Sequence, residues 1–167
     1  ICQLQAQQPF HYNLGTEQDM PSSEVYQIKQ DSFGYIWIGC DAGLFRCDGF
    51  NFKEYSNKKM AGRSISGLQF DPSGRIWCKN FNGQIMRVSG DSLEIVRNFS
   101  KECGSMPFFT FSLNGYVWMT CQNHIEVFDA DLNLLKSIFL EDYNQASQWD
   151  ILEITSFQNH VYIARSG

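Results

Sequence analysis

The sequence predicts an all-β protein built from β-propeller blades of four antiparallel strands each, and two observations carry this prediction. First, three tryptophans, Trp37, Trp77 and Trp118, recur in the same turn-and-strand setting at steps of 40 and 41 residues. A period of this length is typical of a propeller blade. Second, short runs of β-branched and aromatic residues alternate with turns rich in Gly, Asp and Asn, and no helical segment of convincing length occurs.

The first repeat unit shows why four strands are expected. Residues 25–28 form a short apolar run, and the polar turn that follows contains Gly34, which can adopt a positive φ. Residues 35–39 and 44–47 are rich in apolar and aromatic side chains and are separated by a second tight turn. Residues 52–55 alternate apolar and polar side chains, as a half-exposed edge strand does. Hairpins therefore join these segments into one antiparallel sheet.

The same order of elements recurs along the rest of the chain. We expect blades at about 25–57, 65–100 and 106–142, a partial blade at 150–167, and a blade-closing strand at 8–14. The repeated residues have structural roles in this prediction, because the indole rings fill the space between neighbouring blades and the turn glycines adopt a positive φ. These residues are Trp37, Trp77, Trp118, Gly34, Gly74 and Gly115.

About three and a half blades form an incomplete propeller, which predicts an unpaired sheet edge. Three arrangements of the chain differ in whether that edge finds a strand to pair with. The chain can form an open arc, it can close as a small four-bladed ring that the strand at 8–14 completes, or sheet edges of different chains can pair in a homo-oligomer. We favour the small ring or the pairing between chains.

Composition limits the classes of partner. A chain of 167 residues with 43% apolar residues can form one domain with its own core, here residues 7–167. The net charge is −5 and no basic cluster exceeds Lys58 and Lys59, which argues against a nucleic-acid surface. The sequence also lacks the run of about 18 apolar residues that a membrane helix needs. Residues 1–6 resemble the remnant of a secretory signal peptide, with an ordinary disordered terminus as the alternative.

The cysteines predict neither a disulfide framework nor a metal site. They are Cys2, Cys40, Cys47, Cys78, Cys103 and Cys121. Without Cys2, which lies in the presumed signal remnant, their number is odd, so a complete set of disulfides is excluded. No Cys-x-x-Cys motif occurs, and histidine is too sparse to complete a zinc site. We interpret the cysteines as small buried strand residues, with a disulfide or a functional thiol as the less favoured alternative.

The first unit closely resembles the two-component regulator propeller repeat. Residues 30–39 read QDSFGYIWIG and residues 41–49 read DAGLFRCDG, which follow the family pattern QDSxGxIWIGT and xxGLxRxDG, except that Cys40 replaces the threonine. The second unit retains fewer matching positions, namely Asp71, Gly74, Ile76, Trp77 and Gly83. The third keeps Gly115 and Trp118 but lacks the aspartate and the second glycine.

This resemblance implies a sensor function. Family members are mostly periplasmic sensor regions of hybrid two-component histidine kinases from Bacteroides-type bacteria, and many of them sense oligosaccharides. The chain resembles the N-terminal piece of such a sensor, with further blades, a membrane helix and the kinase expected elsewhere in the parent protein. The resemblance thus implies a periplasmic location, an oligosaccharide ligand, and contacts with the remaining blades.

No catalytic constellation is recognisable, and we expect neither enzymatic activity nor a cofactor. The histidines His11, His124 and His160 lie in different units, and no pair of carboxylates stands out. A propeller lyase would share the blade spacing but would need a cluster of metal-binding histidines or carboxylates, which the sequence does not show. Two non-enzymatic functions therefore remain: a ligand-binding sensor module, and a scaffold that docks a protein partner or a second sensor chain.

Loops at the mouth of the central channel are the usual ligand sites of propellers, and here they combine amides with aromatic and basic residues. Aromatic rings stack on the apolar face of a sugar while amides bond its hydroxyl groups. The alternative is that these loops are ordinary polar surface. The candidates are Arg63, Lys79, Asn80, Phe81, Asn82, Gln122, Asn123, His124 and Trp149.

Overall fold

The computed structural model describes residues 19–101, 103, 107–121, 124–139, 151–158 and 160–165, and the regular structure in them consists of β-strands. Three sheets have four antiparallel strands each, in the simple order of the sequence, and a fourth sheet has two strands. The predicted fold class is therefore confirmed. The predicted signal remnant at 1–6 and the predicted closing strand at 8–14 lie outside the described residues.

The strands have the following bounds. The first blade contains β1 (Val25–Gln30), β2 (Ile36–Cys40), β3 (Gly43–Cys47) and β4 (Phe52–Tyr55). The second contains β5 (Ile65–Phe70), β6 (Ile76–Asn80), β7 (Gln84–Ser89) and β8 (Ser92–Asn98). The third contains β9 (Phe109–Phe111), β10 (Val117–Cys121), β11 (His124–Phe128) and β12 (Leu134–Phe139). The two-stranded sheet contains β13 (Ile151–Phe157) and β14 (His160–Arg165).

The sheets are arranged around their first strands. Strand β1 contacts β5, β5 contacts β9, and β9 contacts β13, so that the first strands lie side by side along the inner surface. The last strands, β4, β8 and β12, form the opposite edges of their sheets. This order is that of propeller blades, in which the first strand of each blade faces the central channel.

The repeated tryptophans pack between consecutive sheets. Trp37 belongs to a buried cluster that also contains Tyr55 of the first blade and Leu68 of the second. Trp77 lies in the next cluster, with Phe111 of the third blade. Burial of such large rings is the main apolar stabilisation at each contact between blades.

A carboxylate anchors the first two indoles. Trp37 Nε1 donates to Asp31 Oδ2 at 2.9 Å, and Trp77 Nε1 donates to Asp71 Oδ2 at the same distance. Both carboxylates also accept backbone amides of their own turns, so each aspartate holds a turn and an indole together. The third unit differs, because Ser112 stands at the equivalent position. Trp118 Nε1 is buried there without a hydrogen-bond partner among the described residues.

The turn glycines Gly34, Gly74 and Gly115 have φ values of 90°, 80° and 80°, a conformation that a residue with a Cβ adopts only at a cost. Gly39 serves a different purpose. A Cβ on this residue of β2 would lie 2.7 Å from the carbonyl oxygen of Ile65 in the next blade. The first two blades therefore approach each other through a backbone contact that only glycine permits.

The interpretation of the cysteines is partly wrong. Cys40, Cys47 and Cys78 are buried and free, as expected of small strand residues. Cys103 and Cys121, however, form a disulfide that links the segment after β8 to the end of β10. Their separation of 18 residues in the sequence concealed the pair, because only the return of β10 brings the two together. No helix among the described residues has the length and apolarity of a membrane span.

Candidate functional site

The inner strands line an open cavity of about 430 Å³. It lies between β1, β5, β9 and β13, at the position of the central channel of a propeller. Its lining combines aromatic rings with amides and three ionisable side chains. The residues that matter for its chemistry are Tyr26, Gln27, Gln69, Lys79, Phe108 and Glu153.

Lys79 is the most unusual group in this lining. The residue is only 3% exposed, and its Nζ has no hydrogen-bond acceptor among the described residues. Nζ lies 4.4 Å from the centroid of the Phe108 ring, which offers a weak cation–π contact. Burial lowers the pKa of Lys79 to about 8, because the charged form loses its hydration without gaining a carboxylate.

The local backbone makes room for this side chain. A bulge interrupts the pairing of β5 with β6 between Ser66 and Gln69, and it contains Gly67 with a φ of 62°. A Cβ at Gly67 would lie 2.9 Å from Lys79 Cγ. The lysine stem therefore runs across a glycine, and a larger residue at that position would displace it.

Comparison of the blades shows that Lys79 departs from the repeat. It is the second residue after the tryptophan, and the equivalent positions hold Gly39 in the first blade and Thr120 in the third. Gly39 is packed against the next blade, and Thr120 Oγ1 accepts the backbone amide of Phe108 at 2.9 Å. The second blade alone places a long cation at this point.

A second lysine lies near the cavity. Lys29 Nζ donates to Gln69 Oε1 at 3.1 Å. Burial lowers the pKa of Lys29, and the charge of Glu153 acts in the opposite direction. Glu153 itself is exposed. A carboxylate charge therefore partly offsets the effect of burial on Lys29, whereas burial alone acts on Lys79.

Amides and rings complete the site. Gln27 joins two blades, since its Oε1 accepts the backbone amide of Leu68 at 2.6 Å and its Nε2 donates to the Leu68 carbonyl at 3.4 Å. Tyr26 packs edge-on against Phe81, with 5.0 Å between the ring centroids. A hydrogen bond between its hydroxyl and Glu24 raises the pKa of Tyr26, so the phenol stays neutral near neutral pH.

The structure brings together two of the sequence candidates, Lys79 and Phe81, in the central cavity. The assignment of Lys79 and Asn80 to a channel-mouth loop is wrong, because β6 stays paired through both residues. The side chain of Asn80 is occupied within its own turn, where Nδ2 donates to Gln84 Oε1 and Oδ1 accepts the amide of Asn82. Asn82 contributes to the same turn.

The other candidates lie elsewhere. Arg63 pairs with Glu54 at 3.2 Å beside a separate hollow on the first blade. His124 begins strand β11, so it too is a strand residue, with its Nε2 3.3 Å from Glu126 and its ring stacked on Phe139. The remaining three candidates, Gln122, Asn123 and Trp149, lie outside the described residues.

Sequence reasoning missed the residues that the first strands supply. Tyr26, Gln27, Gln69, Phe108 and Glu153 belong to β1, β5, β13 and the segment before β9, which the sequence identified only as apolar strands. Strict alternation would not have found them, because consecutive residues such as Tyr26 and Gln27 line the cavity beside a bulge in β1. The only usable signal was the presence of polar and aromatic side chains in otherwise apolar first strands.

Three side chains among the described residues are of the types that bind metal ions and lie close together. Cys103, Cys121 and Glu126 place their ligand atoms close together. Because both sulfur atoms are joined in the disulfide, they offer no thiolate to a metal ion. In its oxidised form this cluster is therefore a cross-link and not a metal centre.

Comparisons with known proteins agree with this architecture. Residues 19–42 match the family model described as two component regulator propeller. No curated protein sequence matches the chain. The chain is similar in fold to virginiamycin B lyase from Staphylococcus aureus, at 19% identity and a TM-score of 0.68, over 87% of this chain and 50% of that protein.

Two further structures share the fold. The extracellular domain assigned to a hybrid two component system of B. thetaiotaomicron is 19% identical, with a TM-score of 0.68 over 91% of this chain and 23% of that one. A gluconolactonase from Xanthomonas campestris is 15% identical, with a TM-score of 0.59 over 84% of this chain and 54% of that one. The chain spans about half the length of the two enzymes and less than a quarter of the sensor domain. At these identities the likeness establishes the fold alone.

Proposed function

We propose that this chain, which carries a two-component regulator propeller repeat, is a ligand-binding part of a periplasmic sensor in a two-component signalling protein, and that it catalyses no reaction. The observation that supports this most is the central cavity, which is concave, lies between the inner strands and has a mixed lining of rings and amides. Such cavities are the default binding sites of a fold. The match of the first blade to a regulator repeat favours sensing over metabolism.

The lining favours a glycan-derived ligand. Phe81, Phe108 and Tyr26 present rings on which the apolar face of a sugar can stack. Gln27 and Gln69 present amides that can both donate and accept hydrogen bonds with hydroxyl groups. An oligosaccharide uses both kinds of contact at once, whereas a purely apolar ligand would leave the amides without partners.

Two of the similar folds belong to enzymes, so the lining residues bear on whether this chain could be a catalyst. A lyase or lactonase mechanism on a propeller would need acid–base or metal-binding groups that converge on the cavity. Among the described lining residues the ionisable side chains are Tyr26, Lys79 and Glu153, and no histidine is present. This set offers one amine and one exposed carboxylate, which suits recognition of a ligand better than turnover.

The disulfide supports an extracytoplasmic location. Cys103 and Cys121 are joined, and such bonds persist in the periplasm while cytosolic reductants remove them. We infer that the membrane helix and the kinase of the parent protein lie outside this chain. The remaining blades of that protein are its proposed intramolecular partners.

A second candidate function is a protein-interaction scaffold. It is favoured by exposed apolar side chains on the outer strand of the third blade and on the two-stranded sheet. These are Leu134, Leu135, Phe139, Phe157 and Tyr162. They would suit contact with a further blade or with a second sensor chain.

Calorimetric titration of the complete extracellular region with a panel of neutral and acidic oligosaccharides tests the proposal. We expect at least one glycan to bind with a stoichiometry of one per chain. If no glycan binds and the same protein instead captures a second copy or a protein partner through the exposed apolar strands, the scaffold function replaces the sensor function.

A further inference from the structure

We propose that the central cavity is selective for an acidic sugar, whose carboxylate binds the side chain of Lys79. This inference rests on the proposed sensor function and specifies its ligand class. It places the anionic end of the ligand beside β6 and the sugar ring among the aromatic residues of the inner strands. The selectivity comes from Lys79, whose equivalent positions in the first and third blades hold Gly39 and Thr120.

Lys79 has no counter-charge at its ammonium group among the described residues. A buried ammonium group is costly unless an anion or several acceptors replace its lost hydration. Nζ of Lys79 has no acceptor among the described residues, and the Phe108 ring gives only partial compensation. Nζ has almost no accessible surface, so a ligand carboxylate reaches it only when the side chains around it, such as Phe108, move aside. The carboxylate would then supply the charge-assisted hydrogen bond that the protein leaves unmade.

The backbone beside Lys79 leaves a path for its side chain. A bulge interrupts the first strand of the first, second and fourth sheets, so the bulge itself is a feature of the repeat. Gly67 in the β5 bulge is particular to the second blade, and a side chain at this position would occupy the path of the lysine stem. The equivalent positions to Lys79 in the neighbouring blades hold the small residues Gly39 and Thr120. A surface lysine would not need the glycine, so the arrangement indicates a role for the cation inside the channel.

The charges around the cavity favour a carboxylate at Lys79 over one at the opposite end. The titratable groups that face the cavity from the packed strands are Tyr26 on β1, Lys79 on β6 and Glu153 on β13, with Lys29 of β1 behind Gln69. Glu153 is exposed, and its charge opposes the lowering of the Lys29 pKa by burial. It would repel an anion at its own end of the cavity. A carboxylate is therefore directed towards Lys79.

Binding should depend on pH through this amine. The pKa of Lys79 is lowered to about 8 by burial, so the free protein carries the charge below that pH and loses it above. A bound carboxylate favours the charged form, and its affinity must therefore fall as the pH rises through about 8. A sugar carboxylate remains ionised across this range, and Tyr26, whose pKa is raised, remains neutral.

The test is calorimetric titration of the purified protein with digalacturonic acid and with its dimethyl ester, which has the same rings without the charges. We expect the acid to bind at neutral pH at least about tenfold more tightly than the ester, as one charge-assisted hydrogen bond implies. The Lys79→Gln variant should lose this preference and bind both at the level of the ester. Lys136→Gln removes an exposed lysine from strand β12 and should leave both affinities unchanged.

The outcomes separate the two proposals. Equal binding of acid and ester by the unaltered protein, or an acid preference that survives in Lys79→Gln, overturns the role of Lys79 while the sensor function stands. Absence of binding by any neutral or acidic glycan overturns both. If Lys79→Gln does not fold, the pH profile of the unaltered protein decides, because an acid affinity that is constant through about pH 8 contradicts the proposal.

Discussion

At the scale of single residues, an aspartate precedes each of the first two repeated tryptophans and explains these repeats better than the tryptophan alone. Asp71 accepts hydrogen bonds from Ser73, Arg75 and Trp77. Burial raises the pKa of Asp71, but these hydrogen bonds, first those of Ser73 and Trp77, outweigh it and lower the pKa to about 2. The carboxylate is thus a charged structural centre that joins a turn to the contact between blades.

Replacing Asp71 with alanine should therefore destabilise the protein. The change leaves the buried Trp77 Nε1 without an acceptor, and we expect a loss of about 2–3 kcal/mol in the free energy of unfolding. Urea denaturation measures it, with Asp131→Ala in the exposed β11–β12 turn as the control. Because the folded pKa lies below the usual value of 3.8, the contribution is complete above that pH and disappears as the pH falls towards 2. If Asp71→Ala and Asp131→Ala still differ by the same free energy of unfolding at acid pH, this account of Asp71 is wrong.

The third blade offers the converse experiment. Trp118 Nε1 is buried without a partner among the described residues, and the anchoring position holds Ser112. Ser112→Asp should supply the missing acceptor and raise the free energy of unfolding by about 1 kcal/mol. Thermal and urea denaturation would reveal the gain. No gain, or a loss, would show that the aspartate and the indole are not coupled through their position in the repeat.

The disulfide is a second residue-scale feature with a direct test. In denaturant without reductant, iodoacetamide should label Cys40, Cys47 and Cys78, while Cys103 and Cys121 should react only after reduction. Peptide mass spectrometry distinguishes these sets. If all five cysteines are labelled without reductant, the disulfide is absent. One support for an extracytoplasmic location is then lost.

At the scale of elements, much of the architecture follows from the sequence, because hairpin turns and strand alternation are local properties. The blade order and most strand bounds were predictable for this reason. The site was less predictable. Lys79 appeared to belong to a loop, since its polar side chain ends the apolar run of β6, and only the pairing with β5 shows that it continues the strand. The Cys103–Cys121 pair depends on tertiary proximity in the same way.

The contact between the first two blades gives an element-scale prediction. Gly39→Ala would press a methyl group against the Ile65 carbonyl of β5, so the blades must separate locally. We expect a loss of about 2–3 kcal/mol, typical of overpacking against a rigid neighbour. Gly90→Ala is the control, because nothing lies within 4 Å of its added Cβ and only its left-handed backbone costs energy, about 1 kcal/mol. Equal losses in a urea titration would mean that the close approach is unimportant.

At the scale of the whole molecule, the last sheet among the described residues leaves an edge of β14 without a paired strand there. The last described sheet has only two strands, and Phe157 and Tyr162 are exposed on it. A homo-oligomer formed through such edges remains a prediction. The isolated 167-residue chain should associate in a concentration-dependent manner in sedimentation velocity experiments, and Tyr162→Lys should weaken the association. A chain that stays monomeric at all concentrations would favour an open arc or a closed small ring.

The central claim is that the inner strands, and not the outer loops, form the sensory site. The most direct test is a crystal structure of the protein with a bound oligosaccharide. The account predicts electron density for the sugar between β1, β5 and β9, with an anionic oxygen within hydrogen-bonding distance of Lys79 Nζ. Density at the outer positions, beside Arg63 or His124, with an empty central cavity would contradict it.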